Sequence, residues 1–370
     1  MTVPSSVEQR QREKAAAQNG HPPDRTVYLR VASTIAPEAV DWAWDGRIPL
    51  GAVTLLVGTQ GLGKTTLLVE VIARLSRGDL PGGLSGTPTR SVIATAEDAL
   101  ANTLVPRLTA ADADLAQVAF VDIGTDGTTL TLPDDVERLV EAAGDFEAKV
   151  IAIDPFSAFL SGSVDAHRDT DVRRTIAPLA GAAEERGLAV VPVLHLNKGE
   201  SRDVLTRTSG SVAFTAAARS VLFLGADPDD PDGEASAARI LANAKNNLAP
   251  RAPSLACRIE GRAIGAGDGQ LIPTSQILIG DERDVTANDL LKPTGQADES
   301  EAGAFLVAEL ADGPVPTKDL LARGKKARFS QRTLERTKTA IGITAQRRGF
   351  DDGSHWAWSL PDDDDEGRAA

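Results

Sequence analysis

One segment, VTLLVGTQGLGKTTLL at residues 53–68, constrains the fold of this chain more than any other. An apolar run ends in a turn with three glycines, and Lys64, Thr65 and further apolar residues follow it. Glycines let a tight turn point its backbone N–H groups at phosphate oxygens, and a helix that starts there adds its positive N-terminal dipole. The segment therefore predicts a buried strand, a phosphate-binding turn and a helix.

The turn fits the Walker A pattern in full, with Gly58, Gly63, Lys64 and Thr65 at the defining positions. Lys64 is expected to reach the β- and γ-phosphates of a nucleotide, and the Thr65 hydroxyl is expected to bind Mg²⁺. The alternative is a glycine-rich turn that matches by chance, which the flanking strand and helix disfavour. The residues expected to contact the nucleotide are Gly58, Thr59, Gln60, Gly61, Leu62, Gly63, Lys64, Thr65 and Thr66.

Two further strand ends supply the acidic residues that a magnesium-dependent hydrolase needs. The run KVIAIDP contains Asp154, which is placed to hold Mg²⁺ through its water shell. Because Asp154 is followed by proline rather than glutamate, the carboxylate that orients the attacking water must come from another strand. The run RSVIATAED ends in Glu97 and Asp98, of which Glu97 is the preferred general base and Asp98 the second. The alternative is that both are solvated loop acids.

Composition excludes several classes of protein. With 42% apolar and 25% charged residues in 370, the chain has an ordinary globular composition and room for a large domain and a smaller one. Its single cysteine, Cys257, excludes an internal disulfide and a cysteine-cluster metal site. The N-terminus is polar and no apolar run approaches the length of a membrane span, so we expect a cytoplasmic protein without a membrane partner.

Seven short apolar runs alternate with helix-length segments across the first three-quarters of the chain. The runs are continuous in their apolar character, which is typical of parallel strands that helices cover on both faces. We therefore predict an α/β fold with a mostly parallel sheet, whose strands turn antiparallel after about residue 238. Strands are expected at 53–58, 90–98, 118–123, 149–155, 188–196, 220–225 and 238–245, and helices at 64–77, 99–110, 133–143 and 169–186.

The composition of the remaining segments divides the chain into five parts. We expect a flexible arm at residues 1–32, the α/β domain at 33–280, a linker at 281–300, a small domain at 301–361 and an acidic tail at 362–370. In the small domain, three helix-like segments and two short β-like runs predict a winged helix-turn-helix. Trp356 and Trp358 alternate in the last run and are expected to close the core of this domain.

Charge is unevenly distributed along a chain whose net charge is −14. That total argues against a nucleic-acid partner, yet residues 315–350 hold ten basic and two acidic residues, a net charge of +8. Arg332, Arg336 and Lys338 lie along one predicted helix of this stretch, on which they could face a groove of duplex DNA. The alternative is a winged helix that contacts another protein.

Seven stretches carry a resemblance to a known family, and they are WAWDGRIPLG, GTQGLGKTT, TAED, IDPFSAFL, VLHLNKG, TSGSVAFTAAARSVLFL and KNNLAP. They run in family order through more than half of the chain. The chain resembles the RecA-like ATPases of the plasmid replicative hexameric helicase type, a group of AAA family ATPases of phages and actinobacteria. The resemblance implies a RecA-like P-loop NTPase fold, ATP and Mg²⁺ as ligands, and a homo-oligomeric ring for which a hexamer is one size.

The resemblance also assigns roles to residues outside the phosphate-binding turn. His195 stands where the family has a γ-phosphate sensor, and the alternative is a hydrogen-bonded histidine at a strand end. Arg219 matches the family's arginine finger, which reaches the γ-phosphate of the neighbouring subunit, and the alternative is a surface arginine. Where related ring helicases have Lys-x-Arg, this chain has Lys245 followed by Asn247 two residues later, which shifts the expected contact to Arg219 and Lys245.

Two loops, at residues 161–172 and 197–210, are expected on the side of the sheet where α/β proteins bind ligands. The resemblance places them in the channel of a ring, where Lys198, Arg202 and Arg207 would neutralise phosphates of single-stranded DNA. The alternative is an exposed polar loop. Neither loop has an aromatic residue, so contact with DNA would be chiefly with the backbone.

Three functions fit these predictions. The first is a DNA-dependent motor, helicase or loader that hydrolyses Mg-ATP in the replication or recombination of phage, plasmid or mobile-element DNA. The second is an ATP-gated DNA-binding regulator without motor activity. The third is a RecA-like recombination mediator that forms filaments instead of rings. Because all three classes share one kind of ATPase site, the site residues do not separate them.

Overall fold

The computed structural model describes residues 29–122, 130–166, 168–197, 203–208, 212–230, 232–266, 269–291, 299–327, 329, 331–348 and 355–361. The chain divides into two compact units, residues 1–39 and residues 40–370. The described part of the first unit, residues 29–39, contains a turn of 3₁₀ helix at Ala32–Thr34. The α-helices and strands of the described residues all belong to the second unit.

A nine-stranded sheet, preceded by a short antiparallel pair, forms the larger part of the second unit. The pair is β1 (Trp42–Trp44) and β2 (Ile48–Pro49), and the sheet contains β3 (Ala52–Gly58), β4 (Ser91–Thr95), β5 (Val118–Phe120), β6 (Val150–Asp154), β7 (Ala189–His195), β8 (Ser220–Ala226), β9 (Ala238–Asn246), β10 (Ser254–Ala266) and β11 (Gln270–Arg283). The order across the sheet is β11-β10-β9-β8-β3-β7-β6-β4-β5. Strands β8 to β5 in this order are parallel, whereas β9, β10 and β11 are antiparallel. The predicted α/β fold with a mostly parallel sheet is confirmed.

Helices cover both faces of this sheet. They are α1 (Lys64–Arg77), α2 (Val105–Ala110), α3 (Val136–Asp145), α4 (Asp169–Arg186), α5 (Val204–Arg207) and α6 (Val212–Ala217). Along β3, Val53 and Leu55 pack in one hydrophobic cluster with α3 and α4, whereas Leu56 packs in a second cluster with α1 and α2. Burial on both faces explains the continuous apolar run of this strand. None of the helices in the described part of the chain is long and apolar enough to cross a membrane.

Two helices differ from the prediction in their boundaries. The segment predicted as one helix at 99–110 begins with a π-helical turn at Leu100–Leu104, because Pro106 has no N–H to extend an α-helical ladder back into it. The helix predicted at 133–143 starts only at Val136. A β-bridge from Leu132 to Leu160 holds the preceding chain extended and delays the first helical turn.

Strands β10 and β11 form a long hairpin whose extent was not predicted. They contain 13 and 14 residues, and their register runs from the Ser254–Arg283 pair to the Ala266–Gln270 pair. Because β11 continues to Arg283, the first residues of the predicted linker at 281–300 belong to the sheet instead. The hairpin packs against α1 and α2, the helices next to the phosphate-binding turn.

The C-terminal residues fold around a core of their own. The elements are α7 (Glu299–Leu310), β12 (Val315–Pro316), α8 (Thr317–Lys326), α9 (Gln331–Ala340), β13 (Thr344–Arg348) and β14 (His355–Ser359), and the strands pair in the order β12-β14-β13. The buried residues between them are Ala302, Leu306, Leu310, Leu320, Leu334, Ile343 and Trp358. The sequence predicted three helices and a two-stranded ribbon here, and the short strand β12 is an addition to that pattern.

The two tryptophans of β14 have different environments. Trp358 is 3% exposed and packs in the C-terminal core, as predicted. Trp356 is 59% exposed, so the prediction that it helps to close this core is wrong. The reason is its position in the ribbon, because Trp358 lies between Ala345 and Val315 on neighbouring strands whereas Trp356 pairs with Arg347 alone.

Candidate active site

Four neighbouring parallel strands end at one edge of the sheet and bring the predicted site residues together. Gly58 at the end of β3 is in register with His195 at the end of β7. Asp154 at the end of β6 is in register with Thr95 at the end of β4, and Glu97 follows two residues later. The carboxyl ends of parallel strands are where open α/β sheets bind ligands. The predicted phosphate site and the predicted acidic residues therefore share one cavity.

The turn between β3 and α1 is built so that only glycine suits three of its positions. Gly61 and Gly63 have positive φ angles of 82° and 94°, which place them in the left-handed region. A Cβ atom at Gly58 would lie 2.5 Å from the carbonyl oxygen of Leu224, and one at Gly63 would lie 2.7 Å from Ile259. At these three positions the backbone of the turn therefore carries no side chain, which lets its N–H groups approach a phosphate closely.

Lys64 is the first residue of α1 and is buried, with 5% of its surface exposed. Its Nζ donates hydrogen bonds to the carbonyl oxygens of Gly58 at 3.0 Å and Thr59 at 2.9 Å. Burial lowers the pKa of Lys64 to about 8, and the nearby carboxylates of Asp154 and Glu97 oppose this shift. The amine is thus a poorly solvated cation held against the cradle, where an anion would be bound strongly.

Thr65 and Asp154 place two oxygen donors at one point beside Lys64. The Thr65 hydroxyl donates to the Asp154 carboxylate, with 2.6 Å between Oγ1 and Oδ2. Burial raises the pKa of Asp154, while the hydrogen bond from Thr65 and the charge of Lys64 oppose the rise. A hydroxyl and a carboxylate are hard oxygen ligands of the kind that Mg²⁺ prefers. The pair therefore fits the predicted metal site.

The two acids after β4 differ in what surrounds them. Both line a cavity of about 350 Å³ together with Lys64 and Asp154. Asp98 forms an ion pair with Arg107 of α2, at 2.9 Å between Nη1 and Oδ2. Glu97 lines the cavity and is exposed to solvent. Since the pairing with Arg107 occupies Asp98, the geometry favours Glu97 as the carboxylate that meets a water molecule.

His195 also lines this cavity. Its buried Nδ1 has no hydrogen-bond partner within the described residues. Burial lowers the pKa of His195, the charge of Lys64 lowers it further, and Glu97 opposes the shift. These effects favour the neutral form of the ring, in which one nitrogen carries a proton that it can donate to a phosphate oxygen.

The other residues of the predicted cradle occupy different positions in and around the turn. Gln60, Gly61, Gly63, Thr65 and Thr66 line the cavity, Thr59 provides a carbonyl to Lys64, and Leu62 is buried. Three cavity residues were not predicted from the sequence, namely Arg107, Ile259 and Ser275. Ile259 and Ser275 lie on the β10–β11 hairpin, so no short motif around the turn could have identified them.

Arg219 lies at the opposite edge of the sheet from the cradle. Its N–H donates to the carbonyl of Val53, at the start of β3, and the cradle begins at Gly58 at the end of that strand. Val53 and Gly58 are five residues apart along β3, which corresponds to a distance of about 16 Å. The Arg219 side chain cannot span that distance, so Arg219 does not complete the nucleotide site of its own chain.

Lys245, the second candidate for a contact with a neighbouring chain, has a different role. Its Nζ donates to the carbonyl oxygens of Thr215 at 2.7 Å, Ala216 at 3.2 Å and Ala218 at 2.8 Å. These carbonyls lie at the C-terminal end of α6, where a cation is favoured by the helix dipole. The ammonium group is therefore engaged within its own chain.

The residues predicted to contact DNA are only partly described. Lys198 and Arg202 lie outside the described residues, as does the side chain of Arg332. Arg207 donates to the carbonyl of Asn197 at 3.1 Å. On α9, Arg336 is exposed, whereas the ammonium of Lys338 lies 5.0 Å from the centre of the Trp358 ring. Lys338 thus also contacts the C-terminal core.

Comparison with known proteins agrees with the site geometry. Residues 22–201 match the model of a family described as "AAA domain". This segment contains the cradle, Asp154, Glu97 and His195. The match is thus to an AAA domain, over just under half of the chain.

Other comparisons add less. No curated protein matches the sequence significantly. A solved structure titled "Crystal structure of the RadB recombinase" aligns with 15% identity and a TM-score of 0.39, over 58% of this chain and 89% of that chain.

Nucleotide affinity is expected to fall as the pH rises above about 8. The protonated form of Lys64 binds phosphate, and burial brings its pKa to about 8. Below that pH the amine is already charged, and above it the amine must take up a proton on binding, so the dissociation constant should rise by up to about tenfold per pH unit. Calorimetric titration of the full chain with Mg-ADP, in buffers of different ionisation enthalpy, measures both the affinity and the proton uptake. An affinity that stays level through pH 9 would contradict the assignment.

Proposed function

We propose that this protein is a Mg-ATP-hydrolysing, RecA-like motor that acts on DNA, as a helicase or a loader in the replication or recombination of phage, plasmid or mobile-element DNA. One observation carries the ATPase part of the proposal. A phosphate cradle, a buried lysine, a hydroxyl–carboxylate pair and an exposed glutamate meet in one cavity at the end of the sheet.

The charged residues of the cavity, together with Thr65, His195 and the N–H groups of the turn, have separate tasks in the proposed hydrolysis. The N–H groups of the turn and Lys64 bind the β- and γ-phosphates. Thr65 and Asp154 would hold Mg²⁺, which would neutralise negative charge on the phosphates. Glu97 orients the attacking water and accepts its proton, and His195 donates to the terminal phosphate. Arg107 holds Asp98 aside by an ion pair, so one carboxylate is left for the water.

Assembly supplies the remaining charge. In this proposal Arg219 of one copy reaches the γ-phosphate held by the next copy, where it stabilises the charge that spreads over the phosphate oxygens in the transition state. Its distance from the cradle of its own chain supports action between chains. The proposal therefore requires a homo-oligomer, for which a ring such as a hexamer is the first candidate.

DNA would be bound at two places. The segments at residues 161–172 and 197–210, which include the start of α4 and all of α5, follow strands that end at the nucleotide edge, and their basic residues would contact the phosphates of single-stranded DNA. The C-terminal helices and three-stranded sheet would form a winged helix-turn-helix, with the exposed Arg336 of α9 facing duplex DNA. The charge of +8 in residues 315–350 supports this second contact.

ATPase activity with and without DNA tests the proposal. We expect the full chain to hydrolyse ATP with Mg²⁺, and the rate to rise at least about threefold when single-stranded DNA is added, because a motor couples the two sites. The same samples are measured by light scattering to give the mass of the assembly. Absence of ATP hydrolysis under all these conditions would reject the proposal.

An ATP-gated DNA-binding regulator is the second candidate. The observation that favours it is the C-terminal module, which has its own core and an exposed basic helix and could bind DNA without any motor. Tight sequence-specific binding of duplex DNA without unwinding or translocation would select this function. Filaments in electron micrographs would select instead a RecA-like recombination mediator.

A further inference from the structure

Arg239 is a buried arginine that belongs to no motif around the phosphate-binding turn. It lies near the start of β9, the first antiparallel strand of the sheet, and is 5% exposed. Arginine is rarely buried to this extent unless its guanidinium has several well-placed acceptors. The acceptors of Arg239 therefore indicate why the residue is there.

All four acceptors of this guanidinium are backbone carbonyls. Nη1 donates to Ser236 at 2.6 Å and to Ala238 at 2.7 Å, and Nη2 donates to Glu234 at 3.4 Å. Nε donates to the carbonyl oxygen of Leu62 at 3.0 Å, in a bond that is buried. Three of the bonds fix the guanidinium to its own strand and the preceding turn. The fourth joins that fixed group to the middle of the phosphate-binding turn, 177 residues earlier in the sequence.

This fourth bond determines where the next N–H of the turn points. The peptide unit between Leu62 and Gly63 is planar and trans, so its C=O and its N–H point in opposite directions. When the Leu62 carbonyl faces Arg239, the N–H of Gly63 faces the other way. Gly63 lines the cavity that contains Lys64 and Asp154. The bond therefore directs one N–H donor of the turn toward the cavity.

We propose that Arg239 is a positioning residue of the nucleotide site, which fixes the Leu62–Gly63 peptide so that the Gly63 N–H binds a phosphate oxygen. This inference rests on the proposed function, because it concerns the same phosphate cradle. Through Arg239, the antiparallel strands of the sheet take part in nucleotide binding. The glycines of the turn permit the required backbone conformation, and Arg239 selects it.

The charge of Arg239, like its hydrogen bonds, favours binding of an anion in the cradle. Within the described residues no carboxylate lies within 4.0 Å of its guanidinium, and Glu234 and Asp230 act on it only through space. Burial lowers the pKa of Arg239, yet an arginine side chain stays protonated at neutral pH. A buried positive charge behind the turn raises the electrostatic potential at the cradle and favours a bound anion.

The test compares two substitutions at Arg239 in the full chain. Arg239→Lys keeps the charge but cannot hold four carbonyls in one plane, and Arg239→Gln removes the charge as well. Calorimetry with Mg-ADP and with Mg-pyrophosphate measures the affinity, and pyrophosphate is included because it contacts the cradle without a base. We expect affinity for both probes to fall in the order wild type, Arg239→Lys, Arg239→Gln, with a total loss of about tenfold to a hundredfold.

Arg258 provides the matched control. It is an exposed arginine on β10, in register with Ala238 beside Arg239, and Arg258→Gln is expected to bind both probes as the wild type does. All titrations are made well below the unfolding temperature of each variant, so that lost stability does not count as lost affinity. If Arg239→Lys folds and binds both probes with wild-type affinity, the inference is overturned. The lysine variant is a sufficient test by itself, even if Arg239→Gln does not fold. A wild-type chain that binds neither probe would instead reject the proposed nucleotide site itself.

Discussion

Replacement of Glu97 with glutamine, Glu97→Gln, is expected to preserve binding of Mg-ATP and to slow its hydrolysis by at least about a hundredfold. Glutamine has nearly the same shape and can still contact a water molecule, but it cannot accept the proton. The cradle, Lys64 and the Thr65–Asp154 pair are unchanged, so the dissociation constant should stay within about twofold of the wild-type value. Calorimetry gives the binding constant, and single-turnover hydrolysis of ATP gives the chemical rate.

Asp98→Asn is the matched control for this experiment. Asp98 lines the same cavity, but its carboxylate is paired with Arg107. Asp98 is not placed to accept the proton of the water, and loss of a partly exposed ion pair has a small effect, so we expect the rate to fall less than about tenfold. If Asp98→Asn were the inactive variant and Glu97→Gln the active one, Asp98 rather than Glu97 would be the general base.

A mixture of Glu97→Gln with Arg219→Ala extends the same experiment to the assembly. Each variant alone should be inactive, because one lacks the base and the other lacks the arginine at every interface. In an equimolar random mixture about a quarter of the interfaces would join an intact base to an intact arginine, and activity should partly return. No recovery, with assembly of both variants shown by light scattering, would count against action of Arg219 between chains.

Lys64→Ala is expected to weaken Mg-ATP binding by about a hundredfold or more and to abolish measurable turnover. The lysine is the buried cation of the cradle, and charge-assisted hydrogen bonds to two phosphates are together worth several kcal/mol, about 1.5–3 each. Equilibrium binding of Mg-ATP and the steady-state ATPase rate are the two measurements. Lys64→Ala is also expected to change the free energy of unfolding. Loss of the buried side chain removes packing and lowers this free energy, whereas removal of a poorly solvated charge offsets part of the loss.

Lys149→Ala serves as the control, since Lys149 is exposed and lies outside the cavity. Its binding and turnover should equal those of the wild type. Thermal unfolding of both variants separates loss of affinity from loss of fold. Wild-type affinity in folded Lys64→Ala would show that the glycine-rich turn does not hold phosphate, and the proposed function would be lost with it.

Much of the cavity could be predicted because its residues are read from short segments of chain. Helix α1 begins at Lys64 and ends at Arg77, where it was predicted, since a glycine-rich turn and Gly78 mark its two ends. Asp154 and Glu97 were found because each follows a buried apolar strand. In each case, local backbone chemistry and burial dictate both the element and the position of its functional side chain.

The remaining residues depend on contacts between distant parts of the sequence. Arg107 pairs with Asp98 across the π-helical turn that precedes α2, and a pattern of apolar residues does not predict that turn. Ile259 covers Gly63 because the β10–β11 hairpin packs beside α1, nearly 200 residues later in the chain. Trp356 was misassigned because alternation along a strand predicts which face of the sheet a side chain is on. It does not predict whether the neighbouring strands extend far enough to cover that side chain.

The placement of Arg219 has a consequence for the geometry of any assembly. The cradle lies at one end of β3 and Arg219 is level with the other. If Arg219 serves the next copy, each subunit presents one end of its sheet to its successor and the opposite end to its predecessor. A two-fold dimer satisfies this contact only where the two sheets run antiparallel, so that each copy's Arg219 end meets the other copy's cradle. Where the sheets run parallel the contact is heterologous, and its repetition gives a head-to-tail polymer that closes only when the rotation per subunit divides a full turn. The position of these two groups at opposite ends of one central strand thus ties the relative orientation of neighbouring sheets to the symmetry of the assembly.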